Sequence, residues 1–485
     1  MLSSVASSHH GAGNGGGYRL EPPSSRLQWK SHSGTWKLHV MIPTRAHVAN
    51  GTDGKTIPHV IIVGGGFGGL MAALSLRHAP VRITLIDRHN HHLFQPLLYQ
   101  VATAALSPSQ IAAPIRHVLA TQANCTVWMA EVEKIDPARR RVTLSDSIVT
   151  YDYLVLATGT THSYFGHEEW RVHAPGLKTV EDAIEIRRRL LLAFEHAERA
   201  CSDEGPQPYL KFVVIGGGPT GVELAGAISE IAFRTVRRDF KHLQPADTRV
   251  LLVEASDRLL PGFPHTLAQR AERDLAKLGV VVRLNSRVTG IGADSVQIHT
   301  AKGEETIATR NVLWAAGVQA SPLGATLGVP TDRSGRVYVE ADLSVPGYPE
   351  VFVVGDLAHA KDERSGDPVP ALAPAALQMG KHVARIIEAH TEHTRGRAEA
   401  RPHFQYRDRG LLATIGRKKA VASIGPFQFA GFLAWLVWCL VHVFFLITFR
   451  QKIVVMIEWI WSYVTFTGGA RLISGTSTTK GESSG

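Results

Sequence analysis

A chain of 485 residues is too long for one hydrophobic core, which stops growing at about 250–300 residues, so two or three domains are expected. With 44% hydrophobic and 19% charged residues, it is neither wholly disordered nor collagen-like, and long apolar runs are too few for a polytopic transporter. The 52 Lys and Arg against 42 Asp and Glu give a formal charge of +10, which suits an anionic partner without choosing between lipid and nucleic acid.

From Met1 to about Pro58 the chain is rich in Ser, His and Gly and has no sustained apolar period. It cannot repay the entropy of ordering, so residues 1–58 read as a mostly disordered extension. They show no apolar core of a secretory signal and no convincing Arg-rich transit helix, and Met41 offers an alternative start. The three cysteines, Cys125, Cys201 and Cys439, lie far apart without a Cys-x-x-Cys pair. That leaves no disulfide framework, cysteine zinc site or dithiol relay, and points to a reducing compartment.

At His59 strand-like apolar runs begin to alternate with helical stretches, the pattern of a parallel sheet covered on both faces. One pattern occurs twice: HVIIVGGGFGGLMAALSLRH with RITLIDR, and KFVVIGGGPTGVELAGAISEI with RVLLVEAS, their first glycines 152 residues apart. In each, a strand runs into Gly-x-Gly-x-x-Gly and a helix: Gly64, Gly66 and Gly69, then Gly216, Gly218 and Gly221. Such glycines allow a tight turn, close approach of a pyrophosphate and close helix packing. Asp87 and Glu254 end the second strands, where a carboxylate accepts from ribose hydroxyls and repels a 2′-phosphate, so NADH is favoured over NADPH; Arg258 nearby could soften that preference. The fold class is therefore α/β with two Rossmann-like dinucleotide-binding domains. LVLATG (154–159) and VLWAAG (312–317) suit chain crossovers between them, and VFVVGD (351–356) reads as a buried strand. His89, His91 and His92 cluster without helical spacing or an acidic or cysteine partner, and no metal site is expected there.

These segments, with FQPLLYQVATAALSP, LVLATGTTHSYFG, GGGPTGVELAGAI, VFVVGDLA and FLAWLVWCLVHVFFLITFRQK, resemble the two-dinucleotide flavoproteins and, more closely, the type II NADH dehydrogenases, single-chain NADH:quinone oxidoreductases. The resemblance runs from about His59 to Ile473. It implies FAD on the first fingerprint and NADH on the second. It implies a discontinuous FAD domain (59–170 and 310–390), an inserted NADH domain (171–309) and a C-terminal membrane-anchoring region (391–485). FAD contacts are implied for Gly64, Gly65, Gly66, Phe67, Gly68, Gly69, Asp87, Arg88, Val132, Thr158, Gly159, Gly355 and Asp356, the last on the ribityl chain. Gly216, Gly218, Gly221, Glu254 and Gly317 are implied on or near NADH. Without a cysteine relay, electrons must pass directly from flavin to acceptor. A helix N-terminus aimed at the reduced flavin would stabilise its charge, and Ala371–Ile387, with Pro374 in its first turn, is the candidate. The family lines its quinone pocket with Ala-Gln-x-Ala-x-Gln. Here Ala373-Pro374-Ala375-Ala376-Leu377-Gln378 keeps only the second glutamine, so Gln378 carries over as a catalytic residue, with Ala373 and Pro374 as backbone contacts to the flavin. Glu223 is placed near the flavin, steering nicotinamide or delivering protons to quinone; the plainer reading is an acid favoured early in a helix.

Between Ala389 and Tyr406 the chain reads as a polar linker. From Arg401 to Lys452 there are eight Lys or Arg and one acid, Asp408. The uncharged run Phe429–Phe449 is long enough to span a bilayer. On a helix, however, Gly431, Trp435, Trp438 and His442 share one stripe, as do Gln451, Glu458, Ser462 and Thr465 in the next segment. Two helices lying in the acyl boundary, Trp and His at the interface and Arg417, Lys418, Lys419, Arg450, Lys452 and Arg471 at anionic headgroups, are expected over a true span. The resemblance implies monotopic attachment to the cytoplasmic face of the inner or plasma membrane, a membrane quinone as acceptor (ubiquinone or menaquinone) and a homodimer. It also implies turnover without proton pumping. Two alternatives remain: a soluble NAD(P)H-dependent flavin reductase with a protein acceptor, and a flavoprotein redox sensor binding nucleic acid or proteins. The cations flank tryptophan-rich apolar segments rather than forming a stripe on a polar domain, so no nucleic-acid partner is expected.

Overall fold

The computed structural model describes residues 29–32, 35–38, 57–200, 209–363, 366–392, 400–465 and 470–473. Within the 1–58 extension, Trp29–His32 and Thr35–Leu38 pair antiparallel as a hairpin, where fixed structure was not expected. Met41 and Cys201 fall outside the described residues.

From residue 57 onward the order is β1 (His59–Val63), α1 (Phe67–Ser75), β2 (Arg82–Asp87), β3 (Cys125–Met129), β4 (Tyr153–Leu156) and α2 (Val180–Ala200). The second motif follows as β5 (Lys211–Ile215), α3 (Pro219–Asp239), β6 (Arg249–Val253), α4 (His265–Ala276), β7 (Val280–Arg283) and β8 (Asn311–Trp314). Then come β9 (Tyr348–Val353), α5 (Ala373–Glu392), an antiparallel sheet of β10 (Leu411–Gly416), β11 (Lys419–Ile424) and β12 (Phe427–Gly431), and helices α6 (Phe432–Phe445) and α7 (Phe449–Thr465).

Two parallel sheets carry the architecture. The first runs β3-β2-β1-β4-β9, with the short strand Ser344–Val345 at its edge; the second runs β7-β6-β5-β8. In both the order reverses beside the glycine-bearing strand, which opens a crevice at the carboxyl ends of the strands where nucleotides bind. Every residue of β1 is buried, as a strand covered on both faces requires. The sequence boundary at 310 is displaced: β8 pairs with β5 in the second sheet, so the return to the first domain comes after Trp314. The two crossovers meet there, Thr160–His162 pairing antiparallel with Val318–Ala320.

Helix α5 begins two residues later than read from the sequence, with Pro374 still in the first turn, where its missing N–H costs nothing. It crosses α1 at backbone contact: a methyl group at Gly380 would overlap the Gly68 carbonyl. The described end of the polar linker returns to the first domain, where Phe404 is buried in the core and Arg401 pairs with Asp342 at 3.0 Å.

The run Phe429–Phe449 is not one helix. It starts in β12, forms the 14-residue α6 and breaks at Leu446–Thr448. Among the described residues no helix is long and apolar enough to cross a membrane. Leu433, Leu436, Leu440 and Phe444 of α6 and Ile453, Met456, Ile457, Ile460 and Val464 of α7 are exposed, while Trp438 and Gln451 are buried.

Gly380→Ala should lower stability by about 1–3 kcal/mol through overpacking. Gly262→Ala, whose added carbon would meet only Leu411 at 3.9 Å, should be nearly neutral. Thermal unfolding of the two variants checks the difference.

Candidate active site

The first nucleotide site is built on β1 and α1. Gly64 has φ +103°, and a Cβ there would lie 2.5 Å from the Ala157 carbonyl oxygen, so the turn can close only on glycine. Asp87 Oδ2 accepts the Gly65 N–H at 2.6 Å and Oδ1 accepts the His89 N–H at 2.7 Å; the carboxylate read as a ribose ligand also clamps the loop. No side chain caps α1 and no acid sits in its first turn, so its orphan amides point into open space, an anion site. Nothing lies within 4 Å of a Cβ placed on Gly66 or on Gly218. Thr158 Oγ1, at the crossover, is buried without a hydrogen-bond partner. These residues fit a dinucleotide such as FAD.

The second site repeats the device. Gly216 has φ +109° and a Cβ would press on Ala315. Glu254 Oε2 accepts the Gly217 N–H at 2.5 Å, and Oε1 accepts from the Ser256 N–H and hydroxyl at 2.8 and 2.6 Å. Arg258 donates to the Pro261 carbonyl at 2.8 Å, which leaves Glu254 to set the charge at the ribose position.

The remaining expected residues fall around these turns. Gly355 has φ +71°, and its N–H contacts Met379 Sδ at 3.1 Å; Asp356 follows at the end of β9. Phe67 packs edge-on against His92, which donates from Nδ1 to the Gly65 carbonyl at 3.0 Å. Val132 follows β3, where Ala130 N–H reaches the Asp87 carbonyl at 3.0 Å. Gly68 and Gly69 lie buried in α1, and Arg88 is exposed beyond Asp87. Gly159 and Gly317 both hold positive φ, +64° and +74°, and Gly221 packs on the Gly216 carbonyl. Ala373 and Pro374 open α5.

A cavity of ≈ 190 Å³ opens between α3, the Leu98–Ala105 segment, β10 and the tail helices. Tyr99, Gln100, Glu223, Thr414, Trp438 and Trp459 line it. Trp459 Nε1 donates to Gln100 Oε1 at 2.8 Å and Gln100 Nε2 donates to the Tyr99 hydroxyl at 2.9 Å. Trp438 lies 5.5 Å from the Trp459 ring and 4.1 Å from His442, whose Nδ1 donates to the Trp438 carbonyl. Burial pushes His442 down to about 4, so its imidazole is neutral. Glu223, fifth residue of α3, faces this cavity. Burial pushes its carboxyl up to about 8, opposed only by the Thr414 N–H at 3.4 Å. An acid kept protonated near neutral pH inside an aromatic cavity is a proton donor in waiting.

Gln378 is not among the cavity-lining residues. Its amide donates to the Arg407 carbonyl at 3.0 Å and accepts the Arg407 N–H at 2.9 Å, tying α5 to the tail. The Trp435–Trp438–His442 stripe faces the protein rather than a lipid interface, because Tyr99 and Trp459 offer it aromatic partners. Four of the cations expected at headgroups also have partners on the protein: Arg417 and Lys418 lie 4.1 and 5.0 Å over the Tyr463 ring, Lys452 lies 5.2 Å over Phe444, and Arg471 pairs with Asp239. Tyr99, Gln100, Thr414 and Trp459 carried no assigned role in the sequence; a Tyr-Gln pair inside the apolar run of FQPLLYQVATAALSP was the available signal.

Comparisons with known proteins agree with this geometry. Residues 58–380 match the pyridine nucleotide-disulphide oxidoreductase family, and residues 409–466 match the NDH2 C-terminal domain. The chain is 43% identical over 86% of its length to a type II NADH:quinone oxidoreductase of Mycobacterium tuberculosis, covering 90% of that protein. It is 29% identical over 84% of its length to a demethylphylloquinone reductase of Synechocystis, covering 96% of that protein. The NADH-bound NDH2 structure from Plasmodium falciparum shares the fold at a TM-score of 0.78 and 18% identity, covering 87% of this chain and 100% of that one. The chain thus belongs to the pyridine nucleotide-disulphide oxidoreductases and, within them, to the type II NADH:quinone oxidoreductases.

Proposed function

We infer that the chain is a flavin-dependent NADH dehydrogenase that passes the electrons of NADH to a membrane quinone at the cavity beside Glu223. The observation that carries the acceptor site is this one acid held protonated among Tyr99, Gln100, Trp438 and Trp459, where α3 of the second nucleotide domain meets the tail. Bound FAD supplies hydride acceptance from NADH and release of the two electrons to the acceptor.

The chain's own groups do the rest. Gly64–Gly69 and the α1 amides bind the FAD pyrophosphate, and Asp87 orients its ribose. Gly216–Gly221 and Glu254 do the same for NADH and disfavour a 2′-phosphate. Gln378 holds Arg407, and through it the tail, against α5, a positioning role that replaces direct quinone contact. Reduction of a quinone to quinol needs two protons; Glu223 delivers one from its carboxyl, and the Tyr99 hydroxyl stands beside it as a donor. The aromatic walls exclude water and accept a flat ring.

The apolar outer faces of α6 and α7 dip into the acyl boundary of an anionic cytoplasmic leaflet, with Arg450 and Lys452 at the headgroups. A lipid-soluble acceptor then enters from the side on which the protein lies. In this reading turnover carries no proton across the membrane. Two copies on that surface complete the proposed assembly. The exposed Leu and Phe rows disfavour the soluble reductase reading.

Glu223→Gln should slow quinone reduction about 100-fold or more while NADH still bleaches the flavin at its usual rate in stopped flow. The acid form being the donor, wild-type quinone reduction should fall as pH rises through about 8, and the variant should lose that step. Equal turnover and pH profile in both would remove Glu223 from the reaction. Replacing Leu433, Leu436, Leu440 and Phe444 together by Ser should release the protein from anionic vesicles in flotation assays with its FAD content intact; continued flotation would place the anchor elsewhere.

A further inference from the structure

The partly buried ionisable groups beside the first sheet include a lysine to which the sequence assigned nothing. Lys178 precedes α2. Its Nζ donates to Thr160 Oγ1 at 2.9 Å, the ammonium's sole hydrogen bond among the described residues, and Thr160 Oγ1 in turn lies 3.4 Å from Asp356 Oδ2. Thr160 directly follows the crossover glycine at the end of β4, and Asp356 follows Gly355 at the end of β9. The ammonium is therefore held at the carboxyl edge of the first sheet, over two neighbouring strands, where nucleotide cofactors bind in such sheets.

Its backbone is fixed with unusual redundancy. Asp182 Oδ2 accepts the Lys178 N–H at 3.0 Å, the Thr179 N–H at 2.9 Å and His162 Nε2 at 3.1 Å, while the Thr179 hydroxyl accepts the Asp182 N–H at 3.1 Å, a reciprocal cap on α2. A long flexible side chain anchored at both its root and its tip has surrendered its rotamer freedom, a cost that solvent-facing lysines avoid. Burial penalises the charge, and the Asp356 carboxylate supports it. Two of the three ammonium donors stay unused by the described residues, and on the same crossover, two residues before Thr160, Thr158 Oγ1 is buried without a partner.

We propose that Lys178 is a further cofactor-binding residue: clamped by Thr160 beside Asp356, its ammonium offers the flavin a fixed positive charge and hydrogen-bond donors, and so favours the reduced, more negative state. This rests on FAD occupying the first sheet's edge. Charge near a flavin ring is one of the few levers by which a protein tunes its electronics, and in a poorly solvated site a fixed cation is screened little.

The test uses the full-length FAD-loaded protein. Lys178→Met should shift the oxidised-to-reduced equilibrium of the bound flavin at least tenfold toward oxidised, about 30 mV lower in midpoint potential for a two-electron couple. It should also weaken formation of the anionic flavin–sulfite adduct about tenfold. Lys178→Arg should restore most of both, and Thr160→Val should give a smaller shift of the same sign. If Lys178→Met loses FAD and Lys178→Arg regains it, the assignment also stands; loss that Arg does not rescue overturns it. FAD-replete Lys178→Met with wild-type potential and sulfite affinity overturns it whatever its turnover. A wild-type protein that binds no FAD would instead overturn the cofactor reading beneath it.

Discussion

Both nucleotide sites depend on backbone approaching backbone where no side chain can stand. Gly64 closes on Ala157 and Gly216 on Ala315, each at positive φ, and in each case a carboxylate at the end of the adjacent strand holds the next glycine amide. The helix that follows is thereby pinned with its amide end facing empty space. Because Ala157 and Ala315 lie on the very crossovers that pair as Thr160–His162 with Val318–Ala320, tightening either turn also fixes the relation between the two domains. Two cofactors can exchange a hydride only if their sites are held at a set separation, and here the same residues that form the sites set it.

The tail completes the protein rather than hanging from it. Trp438 and Val455 are buried in the core that contains β5, α3 and α2, and the cavity beside Glu223 takes its walls from α3, β10, α6 and α7. Removing α6 would therefore open the cavity as well as remove one of the exposed apolar faces. The faces of α6 and α7 divide labour: one side supplies the aromatic wall, the other presents Leu, Ile and Phe outward. The exposed apolar face and the cavity wall are two sides of the same helices, and the proposed entry of a lipid-dissolved acceptor without passage through water rests on that arrangement.

Much of this was legible in the sequence. Glycine spacing after an apolar strand, with an acid at the end of the next strand, reports a local steric requirement, and local requirements survive in a one-dimensional record. The alternation of buried strands and helices gave the two parallel sheets for the same reason. What was not legible depends on partners distant in the chain. Periodicity placed Trp435, Trp438 and His442 on one face, but could not say that Tyr99 and Trp459 would cover it. The composition of Phe429–Phe449 gave a continuous apolar run, while pairing of β12 with β11 turned its start into a strand. The sheet to which Asn311–Trp314 belongs is a matter of hydrogen bonding to Lys211–Ile215, invisible in either segment alone. Gln378, placed by resemblance, sits where Arg407 consumes both ends of its amide.

Desolvation pushes both Glu223 and Lys178 toward their neutral forms, the acid upward and the lysine downward, but their neighbours differ. Glu223 has no cation among the causes of its shift; desolvation alone keeps its proton on. Lys178 has Asp356 beside it to support its charge. A residue that must give up a proton gains from an environment hostile to its anion, because the proton is then held at a pH where it can be spent. A residue that must offset negative charge gains from a carboxylate neighbour that keeps it ionised through the cycle. A glutamine and a methionine would fill much the same volumes without the cost of burying a charge. The fold thus sets an acid without a cationic partner in the aromatic cavity and a lysine with a nearby carboxylate at the edge of the first sheet, and the proposed roles in proton delivery and charge support rest on that difference in neighbours.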